Sequence, residues 1–350
     1  MLDFDSCIID DFIVHRVGNK SEEEGYIASE ELHELNEELN YLLKRLFFKS
    51  FKGVNHFFKF HHPSSLDLNE MNVFSREIFE GGDLVEQSQN ILKHLYDQSV
   101  HPHIKSGELL IAKFSQVIND DEVFDAIGVF KIERKDEFIK FRDSLDQGLL
   151  IDIFKGVNLN KLDKGCFIFD TNQEDGYKIA VVDSNNYDTQ YWMEDFLGAQ
   201  VFEDKHFHTK NALDVCKQFA DDVIKPNNDA IEHAAFMNES LQFFQNEEVF
   251  NMEQFAEQVI KEPEYKDEFK SFTKSFEENK GVTVNEQFDI APVAVKEAKR
   301  KMKNVIDLDT NMQIKLDFNN PESAYNFLER GYDQSKGMYF YKVYFNREEK

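Results

Sequence analysis

The stretch GELLIAKFSQVINDDEVFDAIGVFKI, residues 107–132, decides the fold. Two apolar runs, 109–114 and 124–132, flank a polar break at Asn119, Asp120, Asp121 and Glu122. That is the signature of a β-hairpin with a loop longer than two residues. Apolar side chains fill intervening as well as alternate positions, as in Ala126-Ile127-Gly128-Val129-Phe130. A strand with one wet face would alternate, so this pattern predicts cover on both faces.

Helical segments lie on either side and can supply that cover. Residues 7–17 read as an opening strand, with Ile9, Ile13 and Val17 among its apolar positions. Ser29 is placed to cap a helix carrying Leu32, Leu35, Leu39, Leu42, Leu43 and Leu46 at amphipathic spacing. A short strand over 57–62 stops at Pro63, and helices follow over 68–79 and from Asp83 to Tyr96. Downstream, 149–154, 165–169 and 177–182 read as strands. With the hairpin they predict a mainly antiparallel sheet of about five strands with flanking helices.

The composition then turns helical. Thr209 or Asn211 can cap a helix to Val223, and Asn228 one to Phe244. A shorter helix covers 252–260. From Pro263 onward, Tyr265, Phe269, Phe272 and Phe276 form one stripe, for which core packing is the expected role. The tail reads as a hairpin over 305–308 and 313–318, a helix from Asn320-Pro321 to Glu329 ended by Gly331, and a strand over 339–345. The expected fold class is therefore α+β. An α+β domain over 1–204 is followed by a helical region over 205–350 with a ββαβ-like module.

Composition narrows the function. At 41% hydrophobic and 31% charged, the 350 residues can build ordinary cores. The N-terminus carries acids where a secretory signal needs basic residues, and no apolar run approaches the ~20 residues that span a bilayer. A cytoplasmic protein is expected. Cys7, Cys166 and Cys216 form no metal-spaced pair, which fits buried thiols in a reducing compartment.

The net charge of −27 repels nucleic acid at long range. Two segments run against it. Residues 41–62 hold Lys44, Arg45, Lys49, Lys52 and Lys59 without one acid, interleaved with Phe47, Phe48, Phe51, Phe57, Phe58 and Phe60. Residues 296–303, KEAKRKMK, add Lys299, Arg300, Lys301 and Lys303. Cations hold phosphates while aromatics stack bases, although Phe is more often buried. Screening over about 8 Å lets such patches act locally. They are the candidate nucleic-acid contacts.

Enzyme signals are weak. The phosphate-loop, dinucleotide and hydrolase-elbow motifs do not occur. An acid among Asp120, Asp121 and Asp125, followed by Glu133-x-Lys135, resembles the carboxylate and lysine set of Mg²⁺-dependent nucleases. It falls in a charged run where surface charge is the simpler reading. His101-x-His103, His206-x-His208 and His61-His62 lack a third ligand at a recognised spacing. No metal, cofactor or small-molecule substrate is expected.

The opening Ile13-Val14-His15-Arg16-Val17, the 107–132 hairpin and YWMEDFLGA at 191–199 together resemble the bacterial nucleoid-associated protein NdpA family. The tail hairpin over 305–318 is similar to that family's C-terminal β segment, and element order agrees over nearly the whole chain. The resemblance implies an α+β, nucleoid-localised cytoplasmic protein without an established enzymatic activity, and gives no catalytic residues to carry over. The expected partners are DNA, met directly or through DNA-bound proteins that an acidic surface attracts, and a second copy in a homodimer, the commonest oligomer. An acidic protein-interaction scaffold and the metal-dependent nuclease are the alternatives.

Overall fold

The computed structural model describes residues 2–119, 122–144, 148–184, 190–225, 230–260, 262–301, 304–316, 327–345 and 347. The fold is α+β, in two compact units, Met1–Phe202 and Glu203–Lys350.

The strands of the first unit are β1 (Leu2–Asp3), β2 (Ile8–Val17), β3 (Tyr26–Ile27), β4 (Phe58–Phe60), β5 (Gly107–Asn119), β6 (Glu122–Ile132), β7 (Asp136–Ser144), β8 (Gly148–Gly156), β9 (Lys164–Phe169), β10 (Lys178–Asp183) and β11 (Ala199–Val201). Its helices are α1 (Glu37–Lys49), α2 (Glu70–Phe79) and α3 (Leu84–Gln98). Nine of these strands form one sheet in the order β11-β4-β10-β9-β6-β5-β2-β3, with β1 also pairing β5. Its strand pairs are antiparallel. The β5–β6 hairpin is central, as its sequence demanded.

Both hairpin faces are covered. Leu110, Ala112, Phe114, Phe130 and Ile132 pack with Leu43, Leu46, Phe47 and Phe48 of α1. Leu109, Ile111, Ile127 and Val129 pack with Met71, Ile78, Ile91, Leu92 and Leu95 of α2 and α3. The turn is tighter than expected. Pairing continues to Asn119↔Glu122, so only residues 120–121 lie between the strands.

Three further expectations need correction in this unit. The first helix starts at Asn36, whose side chain accepts the Leu39 N–H at 2.8 Å, and not at Ser29. Residues 29–33 are tied to β2 instead. The Ser29 N–H donates to His15 Nδ1 at 3.0 Å, the Ser29 hydroxyl to the Val14 carbonyl, and the His33 N–H to the Phe12 carbonyl at 2.8 Å. The strand over 149–154 lies outside the large sheet and, among the described residues, pairs only with β7, which the charged run 133–138 had concealed. The sheet itself is wider than five strands because β2, β3, β4 and β11 join it.

The second unit contains α4 (Lys205–Phe219), a π-helical turn Ala220–Ile224, α5 (Ala230–Asn246), α6 (Met252–Gln258), α7 (Pro263–Lys280) and α8 (Pro292–Lys301). Its core joins Phe219, Phe243, Phe244, Phe250 and Phe255 to Phe269 and Phe276, while Tyr265 and Phe272 pack against it half-buried. The aromatic stripe of α7 is therefore core. Asp204 caps α4 by accepting the Phe207 N–H at 3.0 Å, which leaves Thr209 and Asn211 inside the helix. Pro226 and Asn228 lie outside the described residues.

Two small strands, β12 (Val249–Asn251) and β13 (Gln287–Asp289), pair with each other. The tail forms two hairpins, β14 (Asn304–Asp307) with β15 (Gln313–Leu316) and β16 (Leu328–Asp333) with β17 (Met338–Val343). The expected tail helix falls mostly on residues outside those described. Its last positions, Leu328 and Glu329, are strand, and Gly331 pairs with Phe340 in place of ending a helix.

Candidate nucleic-acid interface

The acid-free segment 41–62 places its cations in different environments. Lys44 is half-buried and donates to the Cys7 carbonyl. Lys59 pairs with Asp175 at 2.6 Å. Arg45 and Lys49, four residues apart on one face of α1, converge on a single neutral acceptor, with Arg45 Nη2 at 2.9 Å and Lys49 Nζ at 2.8 Å from Asn160 Oδ1. Lys52 is exposed just past the helix end. Phe47, Phe48, Phe51, Phe57 and Phe60 are buried, so they hold the sheet and offer no stacking surface.

Asn160 sits in a tight loop that positions it. Its N–H donates to Asn158 Oδ1 at 2.9 Å, and the Lys161 N–H to the Asn158 carbonyl at 3.0 Å. Lys161, 71% exposed, reaches Asp136 only at 3.7 Å. Sequence reading missed this loop. The i,i+4 spacing of Arg45 and Lys49 was visible, but nothing local joins them to a residue more than a hundred positions away. Two guanidinium and ammonium groups meeting on an uncharged oxygen leave their charge uncompensated there. A phosphate oxygen replacing the amide oxygen would meet two charge-assisted donors.

The second basic segment differs. Lys296, Lys299 and Arg300 line a groove of about 780 Å³ beside the end of α5, which Glu247 and Glu248 also line. Lys301 is exposed at the last position of α8. Lys303 lies outside the described residues. Cations at a helix C-terminus are stabilised by the dipole, and the two glutamates offset two of the groove's three positive charges. An anion gains less here than at Asn160.

The nuclease-like pattern is dispersed. Asp125 lies in the first half of β6 and Glu133 just past its end, and Asp120 and Asp121 lie outside the described residues. Glu133 is not surface charge, as its side chain is 2% exposed and pairs with Lys131 at 2.9 Å. Lys135 pairs with Glu108 at 2.5 Å. Among the described residues, no group of three His, Cys, Asp or Glu could hold a metal ion. His206 and His208 lie on α4 and not on a strand. His101 and His103 lie in a turn.

Glu133 belongs to a buried ionic cluster. Lys131 on β6 and Lys164 on β9 are directly opposite and fully buried. Lys164 pairs with Asp183 at 2.9 Å, and Lys131 also donates to the Lys105 carbonyl at 2.7 Å. Both ammoniums approach the Tyr191 ring, at 5.3 and 5.9 Å from its centroid. Asp163 accepts the Glu133 and Arg134 N–H groups at 2.7 and 3.1 Å. Each charge has a partner, and the cluster reads as structural.

The thiols are unreactive. Burial pushes the Cys7 thiol up to about 12, and raises Cys166 and Cys216 as well.

The model of the family described as nucleoid-associated protein YejK matches residues 13–336. The chain belongs to that family. No curated protein compared with it matches. Membership carries a nucleoid-associated role and the nucleoid as the location that the family implies. Among the described residues, no helix is long and apolar enough to cross a membrane.

In this member of the family, the two shortest of the stretches that carried the resemblance, 13–17 and 191–199, are fold elements. In 191–199, Tyr191 meets the Ser99 hydroxyl at 3.2 Å, Trp192 and Phe196 are buried, and Gly198 turns at φ +56. A Cβ there would lie 2.4 Å from Asn69 Nδ2, which donates to the Leu197 carbonyl at 3.0 Å. In 13–17, His15 Nδ1 accepts the Ser29 N–H, which puts the ring proton on Nε2, 3.0 Å from Ser88 Oγ. The Ser88 hydroxyl in turn donates to the Val85 carbonyl at 2.8 Å.

Burial, and then the nearby His33, push the His15 imidazole down from 6.5 to about 4. The folded pKa lies below the unfolded one, so the unfolded chain takes up a proton that the fold refuses. Stability is full above pH 6.5 and falls between 6.5 and 4, by about 3 kcal/mol in total. Urea unfolding followed by the lone Trp192 should show that slope. His15→Gln should flatten it, and equal slopes in both proteins would refute the assignment.

Proposed function

We propose that the protein contacts DNA directly, without catalysis, through the backbone phosphates, at Arg45, Lys49 and Lys52 with Lys161 beside them. The observation that carries this reading is the convergence of Arg45 and Lys49 on the neutral Asn160 amide oxygen. Lys44 and Lys59, committed to Cys7 and Asp175, serve the fold. Lys299, Arg300, Lys301 and Lys303 form a secondary site, weakened by Glu247 and Glu248. Nothing in the primary patch reads base edges, so binding is independent of sequence. The acidic remainder, within a net charge of −27, limits how closely DNA can be wrapped. It also favours a second route to the nucleoid, through basic DNA-bound proteins.

The test is a gel-shift titration over salt on duplexes of unrelated sequence. Three phosphate contacts predict an affinity loss of about fortyfold between 50 and 200 mM salt. The variant R45A/K49A/K52A should bind more weakly on all the duplexes, with the salt slope reduced by about 3. Unchanged binding in that variant would overturn the assignment. Absence of any shift at low salt would leave the protein-mediated route. DNA left intact in Mg²⁺ would remove the nuclease alternative, whereas cleavage lost on changing Glu133 or Lys135 would restore it.

A further inference from the structure

The β7–β8 ribbon carries an apolar face that no other described element of the first unit covers. Its register sets Ile139 against Ile153 and Phe141 against Ile151, with Leu149 nearer the tip. Alternation puts all five on one side of the ribbon. They are 64–73% exposed, against a sheet whose hairpin strands are buried on both faces. The opposite side holds Phe138 stacked on Phe154 and the Arg142–Asp152 ion pair at 3.0 Å. A two-stranded ribbon is marginal on its own, so a face this apolar gains by being covered.

We propose that this face is the self-association surface of the protein, meeting the same face of a second copy about a two-fold axis. Three observations select that occupant. The five side chains carry no charge, and the other residues on their side of the ribbon are the cross-strand pair Glu137 and Lys155, opposite in sign, and Asp143 beside Leu149, so two chains of net charge −27 meet little repulsion here. The face is self-complementary, apolar on apolar, as an isologous contact requires. Five side chains of this size and exposure bring roughly 600 Å² per copy, and two copies roughly 1,200 Å², the lower bound for a specific stable interface. DNA is a poor occupant because four of the five side chains are aliphatic and neither stack bases nor pair phosphates, which leaves Phe141 as the one ring on the face. A basic DNA-bound protein would be drawn to the acids instead.

This contact is independent of the DNA-binding reading, and salt separates the two. Apolar burial between like-charged chains strengthens as salt screens the repulsion, whereas phosphate binding weakens. Sedimentation velocity of the full chain, at up to about 100 μM and in 50 and 500 mM salt, should show a dimer whose population rises with salt. The double variant F141D/I151D should raise the dimer dissociation constant at least roughly a hundredfold, since each site would bury carboxylates. Both side chains are exposed, so the Trp192 emission should stay native. A wild-type chain that stays monomeric in both salts would overturn the proposal, as would a double variant that dimerises as tightly as wild type.

Discussion

Replacing Lys131 with Met is expected to destabilise the first unit by about 3–5 kcal/mol and to lower its unfolding midpoint by roughly 10 °C. The cause is electrostatic. Lys131 and Lys164 stand opposite each other on β6 and β9, where like charges repel. The fold tolerates the pair because Glu133 lies 2.9 Å from one ammonium, Asp183 lies 2.9 Å from the other, and the Tyr191 ring faces both. Met fills similar volume but leaves the Glu133 carboxylate buried without its cation. The double change K131M/E133L removes both charges and should recover most of the loss, because a buried pair is worth little over an apolar replacement. Trp192 reports the right transition, being the lone tryptophan, fully buried, and adjacent to Tyr191. A single variant that loses less than about 1 kcal/mol would show that Glu133 finds water or another cation on its own.

The centre of the fold was legible because its residues left little choice. Apolar side chains on both faces of 109–114 and 124–132 required a covered hairpin, and α1 on one side with α2 and α3 on the other supply the cover. The aromatic stripe of α7 was legible for the same reason. Where the reading failed, a tertiary contact had displaced a local preference. Ser29 is a sound helix cap by type, yet its N–H and hydroxyl are held by His15 and Val14. β7 alternates Ile139 and Phe141 with charges, but the neighbouring Glu133-Arg134-Lys135 made the run look like loop. The strand over 149–154 carries a core-like pattern, while no other described element of the first unit covers Leu149, Ile151 and Ile153.

The proposed interface was legible only by charge. Counting selected five cations in 41–62, and nothing in the sequence separates Arg45 and Lys49, which converge on Asn160, from Lys44, which reaches the Cys7 carbonyl. That division depends on residues far away in the chain. Glu133 is a different case. Its partner Lys131 is only two residues away, but as one letter in a charged run it reads as surface, and only the packing around the end of β6 shows that both side chains are buried.

Changing Gly128 to Val is expected to destabilise the first unit by about 2–3 kcal/mol, against what strand propensity alone suggests. Glycine inside a strand ordinarily costs about 0.5–1 kcal/mol, so a β-branched residue in β6 would normally help. Here space decides the sign. A Cβ at Gly128 would lie 2.5 Å from the Phe130 ring and 2.6 Å from the Phe114 ring. Neither ring can swing away cheaply. Phe130 stacks on Phe47 at 4.1 Å, and Phe114 and Phe130 each pack edge-on against Phe167 at 5.2 Å. Gly128 itself lies between Ala112 on β5 and Phe167 on β9, so two flanking strands fix its backbone. The methyls of Val must therefore displace packed rings, and the off-rotamer cost exceeds the propensity gain. Urea unfolding of G128V, read through Trp192, measures the difference. Trimming one ring in G128V/F114L should restore part of the loss, so that the pair is less destabilised than the sum of its parts. Strict additivity, or a stabilised G128V, would mean that the phenylalanine cluster has slack which its ring spacings do not show.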